Sequence, residues 1–295
     1  MKIIVTGAGG QLGSDLAKRL SAAGLESVNL DSSALDITDR EAARRVFRRE
    51  KPAIVINCAA YVKVDQAESE AEAAFKINAE GPAILAEEAS RAGAALAHVS
   101  TDFVFDGAKS SPYTEEDETN PLNVYGRSKL EGERRVMEKQ PRSVIVRTSW
   151  LYGSRGSNFV KTMIRLAEDR ETLRVVCDQV GRPTWTGDLA DALVSIAKRI
   201  QGGDSPYGIY HYSNEGFASW FDFAKAIVDE AGSGACLKCK EVIPVSTAEY
   251  PTPATRPRYS VLDSAKIKAT FGLDIPHWRD SLRAMLKELY REEYA

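Results

Sequence analysis

Short apolar runs alternate with amphipathic segments along the first half of the chain. Leu12, Leu16 and Leu20 recur every four residues, which is typical of one helix face, and Gly24 follows as a helix terminator. Strands that alternate with helices favour a parallel sheet covered on both faces. The pattern therefore predicts an α/β fold with a doubly wound parallel sheet, and the expected strands are residues 2–6, 27–30, 53–57, 96–100 and 143–147.

The alternation becomes less regular after about residue 155. Helices are expected at 159–167, 188–200 and 220–231, and in a last segment whose apolar residues run from 282 to 289; short strands are expected at 174–176 and 209–212. Residues 250–258 are proline-rich and predict an extended arm. We expect a first domain over residues 1–157 and a smaller second domain formed mainly by 158–295, with 184–214 packing back onto the first.

A glycine loop lies between the first predicted strand and the first predicted helix. Gly7, Gly10 and Gly13 enclose Gln11 and Leu12 in a G-x-x-G-x-x-G spacing, which departs from the G-x-G-x-x-G of dinucleotide-binding proteins. Glycines let a pyrophosphate approach the backbone, and the following helix offers free N–H groups. A plain tight turn is the alternative, but the strand-loop-helix context favours a Rossmann-type cofactor site.

The ends of the second and third predicted strands extend this hypothesis. Asp31 follows the second strand, where a carboxylate can accept a hydrogen bond from a ribose 2′-hydroxyl and repel a 2′-phosphate. This favours NADH without excluding NADPH, because residues 32–37 could redirect the phosphate. Ala59 and Ala60 follow the third strand and are small enough for a flat ligand to lie against the backbone. Thr38 and Asp39 precede the next helix and are candidate caps.

Tyr125 and Lys129 are four residues apart in a predicted helix, so both side chains lie on one face. An ammonium group favours a neighbouring phenolate and is expected to lower the pKa of Tyr125, which could then transfer a proton at a carbonyl or alcohol carbon. Alone, this spacing would indicate an exposed pair. Thr101 and Asp102, however, follow the fourth strand, where α/β sheets bind their ligands.

Composition excludes several other classes of protein. The 295 residues are 43% hydrophobic and 27% charged, and 39 basic against 42 acidic residues give no basic excess for nucleic acid. The cluster Arg44, Arg45, Arg48 and Arg49 fits a solvated helix face. No apolar run is long enough for a membrane span, and residues 1–5 resemble a strand and not a signal peptide.

The cysteines do not predict a metal or redox site. Only Cys236 and Cys239 form a C-x-x-C, and no second ligand pair completes a zinc site. We expect these two residues, together with Cys58 and Cys177, to be thiols in a reducing cytoplasm. No metal is predicted.

With these stretches in view, the chain resembles the extended short-chain dehydrogenase/reductases and, among them, the dTDP-4-dehydrorhamnose reductases. The resemblance spans nearly the whole chain and rests on several motifs together. They are residues 10–13 (GQLG), 35–39 (LDITD), 57–61 (NCAAY) with 64–65, 100–107 (STDFVFDG), 125–133 (YGRSKLEGE), 147–150 (RTSW), 178–184 (DQVGRPT) and 256–260 (RPRYS).

The resemblance implies NADPH- or NADH-dependent reduction of the C4 keto group of dTDP-4-dehydro-6-deoxy-L-mannose to dTDP-L-rhamnose. It implies an NAD(P)-binding domain at 1–157 and a domain mainly for the nucleotide sugar at 158–295. Thr101, Tyr125 and Lys129 would be catalytic, with Tyr125 the proton donor, and Asp102 and Trp150 would contact the sugar. Arg258 is a candidate for the pyrophosphate of dTDP, with a surface ion pair as an equal alternative. The expected cofactor residues are Gly7, Gly10, Gln11, Leu12, Gly13, Asp31, Asp36, Ile37, Ala59, Ala60, Tyr61, Tyr125 and Lys129.

Two departures from the family and three alternatives stay open. Phe103 stands where family members often have Tyr, and Cys58 where a small alanine-like residue is expected. A nucleotide-sugar dehydratase would want an acid at position 103, whereas an epimerase needs space that the sequence does not measure. A non-catalytic NADP-binding subunit, similar to the regulatory subunit of methionine adenosyltransferase, is a further alternative. Some family members are Mg²⁺-dependent dimers; a homodimer fits here, but no metal ligands can be placed.

Overall fold

A computed structural model describes residues 1–232 and 237–293. Its main sheet has six parallel strands in the order β2-β1-β3-β4-β5-β10. These strands are β1 (Ile3–Thr6), β2 (Ser27–Leu30), β3 (Ile54–Asn57), β4 (Ala95–Thr101), β5 (Ser143–Thr148) and β10 (Gly208–His211). The chain order reverses between β1 and β3, so a crevice opens at their carboxyl ends.

Helices cover both faces of this sheet. On one face α1 (Gln11–Ala22) and α8 (Thr186–Gln201) pack their leucines and isoleucines against β1, β3 and β5. On the other face lie α2 (Arg40–Glu50), α5 (Gly81–Ala92) and α6 (Val124–Lys139). The predicted α/β fold with a doubly wound parallel sheet is confirmed.

The segment between β3 and β4 is mostly helical. After α3 (Val64–Ala67), α4 (Ala71–Phe75) runs through a π-helical turn at Lys76–Glu80 directly into α5. Gly81 and Pro82 occupy the first turn of α5, where proline's missing N–H is tolerated. The helical path therefore continues through these two residues.

A second hydrophobic cluster lies beyond the carboxyl end of the sheet. It is built by residues from Tyr152 to Leu289, including Phe223, Trp278 and Leu282. The elements after β5, apart from α8 and β10, are β6 (Leu151–Tyr152), α7 (Phe159–Asp169), β7 (Thr172–Val176), β8 (Val180–Gly181), β9 (Thr184–Trp185), β11 (Ala218–Ser219), α9 (Trp220–Ala231), β12 (Glu241–Val245), α10 (Ala265–Phe271) and α11 (Trp278–Glu293). Of these, α10 packs on the main sheet through Ile267 and Phe271. The division of the chain at residue 157 stays a prediction.

The connection after β4 packs closely on the C-terminal half of the chain. The polar loop 105–121 is joined to the chain beyond the proline-rich arm, because Tyr113 N donates to Val261 O at 2.8 Å and Asp263 N to Tyr113 O at 2.7 Å. Within the loop, Lys109 pairs with Asp117 at 2.6 Å. This loop is a packed connection in the structure.

Candidate functional site

The carboxyl ends of β3, β4 and β5 open into a cavity of 550 Å³, here called the Tyr125 cavity. It is lined by the glycine loop, by the ends of these strands, by helix α6 and by residues 156–158. Of the predicted site residues it brings together Gly10, Gln11, Leu12, Gly13, Ala60, Thr101, Asp102, Tyr125, Lys129 and Trp150. Residues that are far apart in sequence thus meet where an α/β sheet binds its ligand.

The glycine loop fits a pyrophosphate. Gly7 has φ +68°, and a Cβ on it would lie 2.6 Å from Ala59 N; one on Gly13 would lie 2.2 Å from Gly7 O. Helix α1 begins beside the cavity without a side-chain cap. Its first N–H groups and the positive end of its dipole are therefore available to an anion. This bare backbone suits the phosphates of a dinucleotide.

Asp31 borders the same loop. Its Oδ1 accepts hydrogen bonds from Ser33 N at 2.9 Å and Ala34 N at 3.0 Å, and also from the Ser33 hydroxyl. These bonds lower the pKa of Asp31, so the group is a carboxylate at neutral pH. A Cβ on Gly9 would lie 3.3 Å from the Asp31 Cβ. A fixed negative charge therefore stands near the place expected for the ribose.

Four other predicted cofactor residues lie around the cavity and not in its lining. Ala59 packs under Gly7, and Ile37 packs under Gly81. Asp36 accepts bonds from the amide and hydroxyl of Thr38, which is a local turn. The Tyr61 hydroxyl donates to Glu70 at 2.8 Å. Their roles toward a cofactor stay predictions.

Tyr125 and Thr101 meet inside the cavity. Asn123 caps α6 by accepting from Gly126 N at 2.8 Å, which puts Tyr125 in the first turn. Gly126 allows α6 to approach Phe103, since a Cβ there would lie 2.2 Å from Phe103 O. Burial raises the pKa of Tyr125 to about 12, although the neighbouring Thr101 hydroxyl acts in the opposite direction. The phenol is therefore protonated at neutral pH, the state that a proton donor requires.

Lys129 differs from the expectation. Its Nζ donates to Val99 O at 2.7 Å, on the floor of the cavity. Burial lowers the pKa of Lys129 to about 8, while Glu133 and then Cys58 act in the opposite direction. The expected lowering of the Tyr125 pKa by Lys129 is not seen, because desolvation of the phenol outweighs other influences.

Asp102 carries an unusual oxygen. Its Oδ1 accepts from the Thr101 hydroxyl at 3.1 Å, whereas the buried Oδ2 has no hydrogen-bond partner. Burial raises the pKa of Asp102 to about 7, although the neighbouring hydroxyls of Ser260 and Thr101 oppose the shift. A buried polar atom without a partner is costly, so this oxygen is suited to a ligand hydroxyl.

Trp150 offers less free surface than expected. It is a non-glycine residue with φ +47°. Its indole stacks on Trp220 at 3.5 Å and 6°, which covers one face. Gly181 also lies against the ring, since a Cβ there would be 2.5 Å away. The tryptophan stack forms a wall between the Tyr125 cavity and a second cavity lined by Trp220.

The second cavity, of 420 Å³, is here called the arginine cavity. Two guanidinium groups and several aromatic rings line it: Arg174, Arg256, Phe159, Trp220 and Tyr250. Sequence reasoning placed none of these five in the site, although Arg256 belonged to a quoted motif. The carboxylate that binds Arg256 belongs to Asp65, which is 191 residues away in sequence, so spacing along the chain could not identify this pair.

Arg258 lies apart from both cavities. Its side chain is exposed, and its carbonyl accepts from Val180 N at 2.7 Å. The residue is missing from the lining of either cavity, whereas Arg256 lines the second. Of the two arginines, Arg256 lines a cavity and Arg258 does not, and the role expected of Arg258 stays a prediction.

The described residues contain neither a candidate metal cluster nor a membrane-spanning helix. Between residues 1 and 293, leaving out 233–236, no cluster of three or more His, Cys, Asp or Glu could hold a metal ion. Within the same ranges, no helix combines the length and apolarity needed to cross a membrane. Cys58, Cys177 and Cys239 are free thiols, and Cys236 lies outside the described residues.

Comparison with known proteins agrees with this geometry. The family described as "RmlD substrate binding domain" matches residues 1–291. The dTDP-4-dehydrorhamnose reductase of Aggregatibacter actinomycetemcomitans is 48% identical over 96% of this chain and 97% of that protein. The spore coat polysaccharide biosynthesis protein SpsK of Bacillus subtilis (strain 168) is 44% identical over 97% of each chain.

Solved structures give the same result. The dTDP-4-dehydrorhamnose reductase of Clostridium acetobutylicum superposes with a TM-score of 0.91 at 45% identity, covering 98% of this chain and 99% of that one. The corresponding enzyme of Bacillus anthracis, solved in complex with NADP, has a TM-score of 0.90 at 43% identity over 97% and 99%. The chain therefore belongs to the dTDP-4-dehydrorhamnose reductase family, described by the RmlD substrate-binding domain.

Proposed function

We propose that this chain reduces the C4 keto group of dTDP-4-dehydro-6-deoxy-L-mannose to form dTDP-L-rhamnose, with NADPH or NADH as reductant. The observation that carries the proposal is that Thr101, Tyr125 and Lys129 line one cavity together with a bare glycine loop. Relatives at 42–48% identity over nearly their whole length carry this reductase name, which supports the substrate class.

The hydroxyls of Tyr125 and Thr101 have different roles at the carbonyl oxygen of the substrate. A bound reduced nicotinamide supplies the hydride. Tyr125, protonated at neutral pH, gives a proton to the oxygen as negative charge develops there. Thr101 donates a hydrogen bond to the same oxygen. In this proposal Lys129 holds the nicotinamide ribose hydroxyls, and its charge favours the phenolate that proton transfer leaves behind.

The two cavities suggest how the nucleotide sugar lies. The sugar would occupy the Tyr125 cavity, where Asp102 Oδ2 is free to contact a hydroxyl and Trp150 forms the wall. The nucleoside diphosphate would occupy the arginine cavity. Arg174 and Arg256 suit phosphate oxygens there, and the aromatic rings suit a base.

The remaining predictions concern the cofactor, the assembly and the location. The charged Asp31 supports NADH, while the NADP complex of the Bacillus anthracis relative supports NADPH, so we propose that both are accepted. A homodimer and a cytoplasmic location remain predictions from the sequence; the free thiols support the location. No nucleic-acid partner is proposed.

A turnover assay tests the function directly. Purified protein is mixed with dTDP-4-dehydro-6-deoxy-L-mannose and either NADH or NADPH, and the loss of reduced-nicotinamide absorbance is followed. We expect oxidation matched by an equal amount of dTDP-L-rhamnose, identified by chromatography and mass spectrometry. Protein that binds the nucleotide but oxidises none of it with this substrate would contradict the proposal.

A further inference from the structure

A buried ion pair lies directly behind the candidate site. Glu133 of α6 is 0% exposed and Arg147 of β5 is 3% exposed. Arg147 Nη2 donates to Glu133 Oε2 at 2.7 Å, and Arg147 Nε donates to Glu133 Oε1 at 3.0 Å. The Ser100 hydroxyl donates to Glu133 Oε1 at 2.5 Å. Burying two charges is costly even when they are paired, and the roles proposed above use neither of them.

Glu133 follows Lys129 by one helical turn, so the two side chains share the face of α6 that meets the sheet. The titratable groups around Lys129 are Cys58, His98 and Glu133, together with Asp102 and Tyr125, which line the same cavity. Burial raises the pKa of Cys58 to about 12 and that of Tyr125 to about 12, and it lowers that of His98, so these three are neutral at pH 7. Burial also raises the pKa of Asp102 to about 7, whereas the carboxylate of Glu133 is the charge that does most to raise the pKa of Lys129 against the effect of burial.

The groups around the ion pair leave it intact. Arg147 also approaches His211 Nε2 at 3.4 Å and the face of Phe105 at 5.3 Å. Burial, followed by the charge of Arg147, lowers the pKa of His211 to about 3, so this ring is uncharged at neutral pH. Arg147 therefore has Glu133 as its ionic partner, and Glu133 also lies one helical turn from Lys129 on the same helix.

We propose that Glu133 is a positioning residue of this site: its charge keeps Lys129 in the ammonium form at the cofactor ribose, and Arg147 compensates the burial of that charge. The inference rests on the proposed function. Without Glu133, the buried Lys129 would lose its proton at a lower pH. A neutral amine binds hydroxyl oxygens less strongly and exerts no field on a phenolate.

The test compares Glu133→Gln with the double variant Glu133→Gln/Arg147→Met. The single variant leaves Arg147 buried and unpaired, which can prevent folding, whereas the double variant removes both charges. NADP⁺ affinity is measured from pH 6 to 10 by calorimetry, and kcat/KM over the same range. In the double variant we expect the basic limb of both profiles to move down by about one pH unit. In the single variant, where it folds, the basic limb should move down further, because the unpaired Arg147 repels the Lys129 ammonium.

Two controls separate this role from a loss of stability. Asp188→Asn removes a half-buried carboxylate, which accepts bonds from Asn214 and Ser281, and should leave the limb in place. Lys129→Met should abolish the basic limb of both profiles, which would assign that limb to the titration of Lys129. A folded double variant with the wild-type midpoint would overturn the inference. The affinity profile decides even if the wild type turns over no keto sugar, which would contradict only the proposed function.

Discussion

At the scale of single residues, the hydroxyl of Tyr125 lies where the proposed reaction needs a proton. Tyr125→Phe keeps the ring and its edge contact with Phe103, whose centroid is 5.8 Å away. We expect kcat to fall by about 10²–10⁴-fold, with cofactor affinity unchanged, because general acid catalysis is lost. Tyr207→Phe removes a hydroxyl that bonds Arg142 outside the site and serves as control. Near-wild-type turnover in Tyr125→Phe would remove the residue from the mechanism.

Asp102 gives a prediction about stability and pH. The pKa of Asp102 in the fold is about 7, above its ordinary 3.8. Between these values the folded protein holds a proton that the unfolded chain has lost, so the wild type loses stability as pH rises through this window. Asp102→Asn cannot ionise at this position. Its free energy of unfolding should therefore rise relative to that of the wild type by up to about 1.4 kcal/mol per pH unit within this window. Urea unfolding at pH 5, 6 and 7 measures the difference, and a constant difference would mean that Asp102 is ionised throughout.

Asp31 gives a prediction about cofactor choice. Its carboxylate is fixed by Ser33 and Ala34 beside the glycine loop. Asp31→Ala removes a charge that would repel a 2′-phosphate, so the kcat/KM ratio of NADPH to NADH should rise about tenfold. Asp204→Ala, which removes an exposed carboxylate that pairs with Arg199 after the end of α8, is the control. An unchanged ratio in Asp31→Ala would place the ribose elsewhere.

The residue scale also shows what spacing could and could not predict. Tyr125 and Lys129 were placed together because a four-residue spacing on a helix is geometry that a sequence contains. Thr101 followed from its place at the end of a strand. The pKa values of Tyr125 and Lys129 depend on how deeply the fold buries them, which no local pattern measures.

At the scale of elements, the glycine loop and α1 act as one unit. A Cβ on Gly13 would lie 2.2 Å from Gly7 O, which is backbone and cannot move aside cheaply. Gly13→Ala should therefore push α1 away from the loop and weaken NADP⁺ binding by tenfold or more, about 1.4 kcal/mol. Gly202→Ala, at an αR position where the nearest atom would be 3.4 Å away, is the control. Calorimetry that finds equal affinity in both variants would exclude the loop from the phosphate site.

Helices and strands with a strong hydrophobic pattern could be predicted from the sequence. Strands that form only by pairing with a distant segment could not. The leucine period of α1 and the continuous apolar strands of the sheet are local signals. The capping of α2 by Asp39, which accepts from Ala42 N at 2.9 Å, was equally visible. Strand β12 was missed, because it contains Pro244 and exists as a strand through pairing with β7.

At the scale of the whole molecule, the proline-rich arm returns to the first half of the chain. Arg256 of the arm forms two bonds to Asp65 of α3, Nη1 to Oδ1 at 2.9 Å and Nη2 to Oδ2 at 2.7 Å. Ala254 N also donates to Asp65 Oδ1. Both charged residues line the arginine cavity, so this contact joins the two halves of the chain across the proposed nucleotide site.

The Asp65–Arg256 pair is partly exposed, with side chains 40% and 22% accessible, so its contribution to stability should be about 1 kcal/mol or less. Its geometric effect is larger, since it fixes the arm that closes one side of the cavity. Asp65→Asn should raise KM for the dTDP-sugar about tenfold and leave the affinity for NADP⁺ unchanged, because the glycine loop lies in the other cavity. Glu171→Gln breaks the exposed pair with Lys240 and should change neither constant. If Asp65→Asn instead weakened NADP⁺ binding and sugar binding equally, the arm would be holding the whole molecule together and not one substrate.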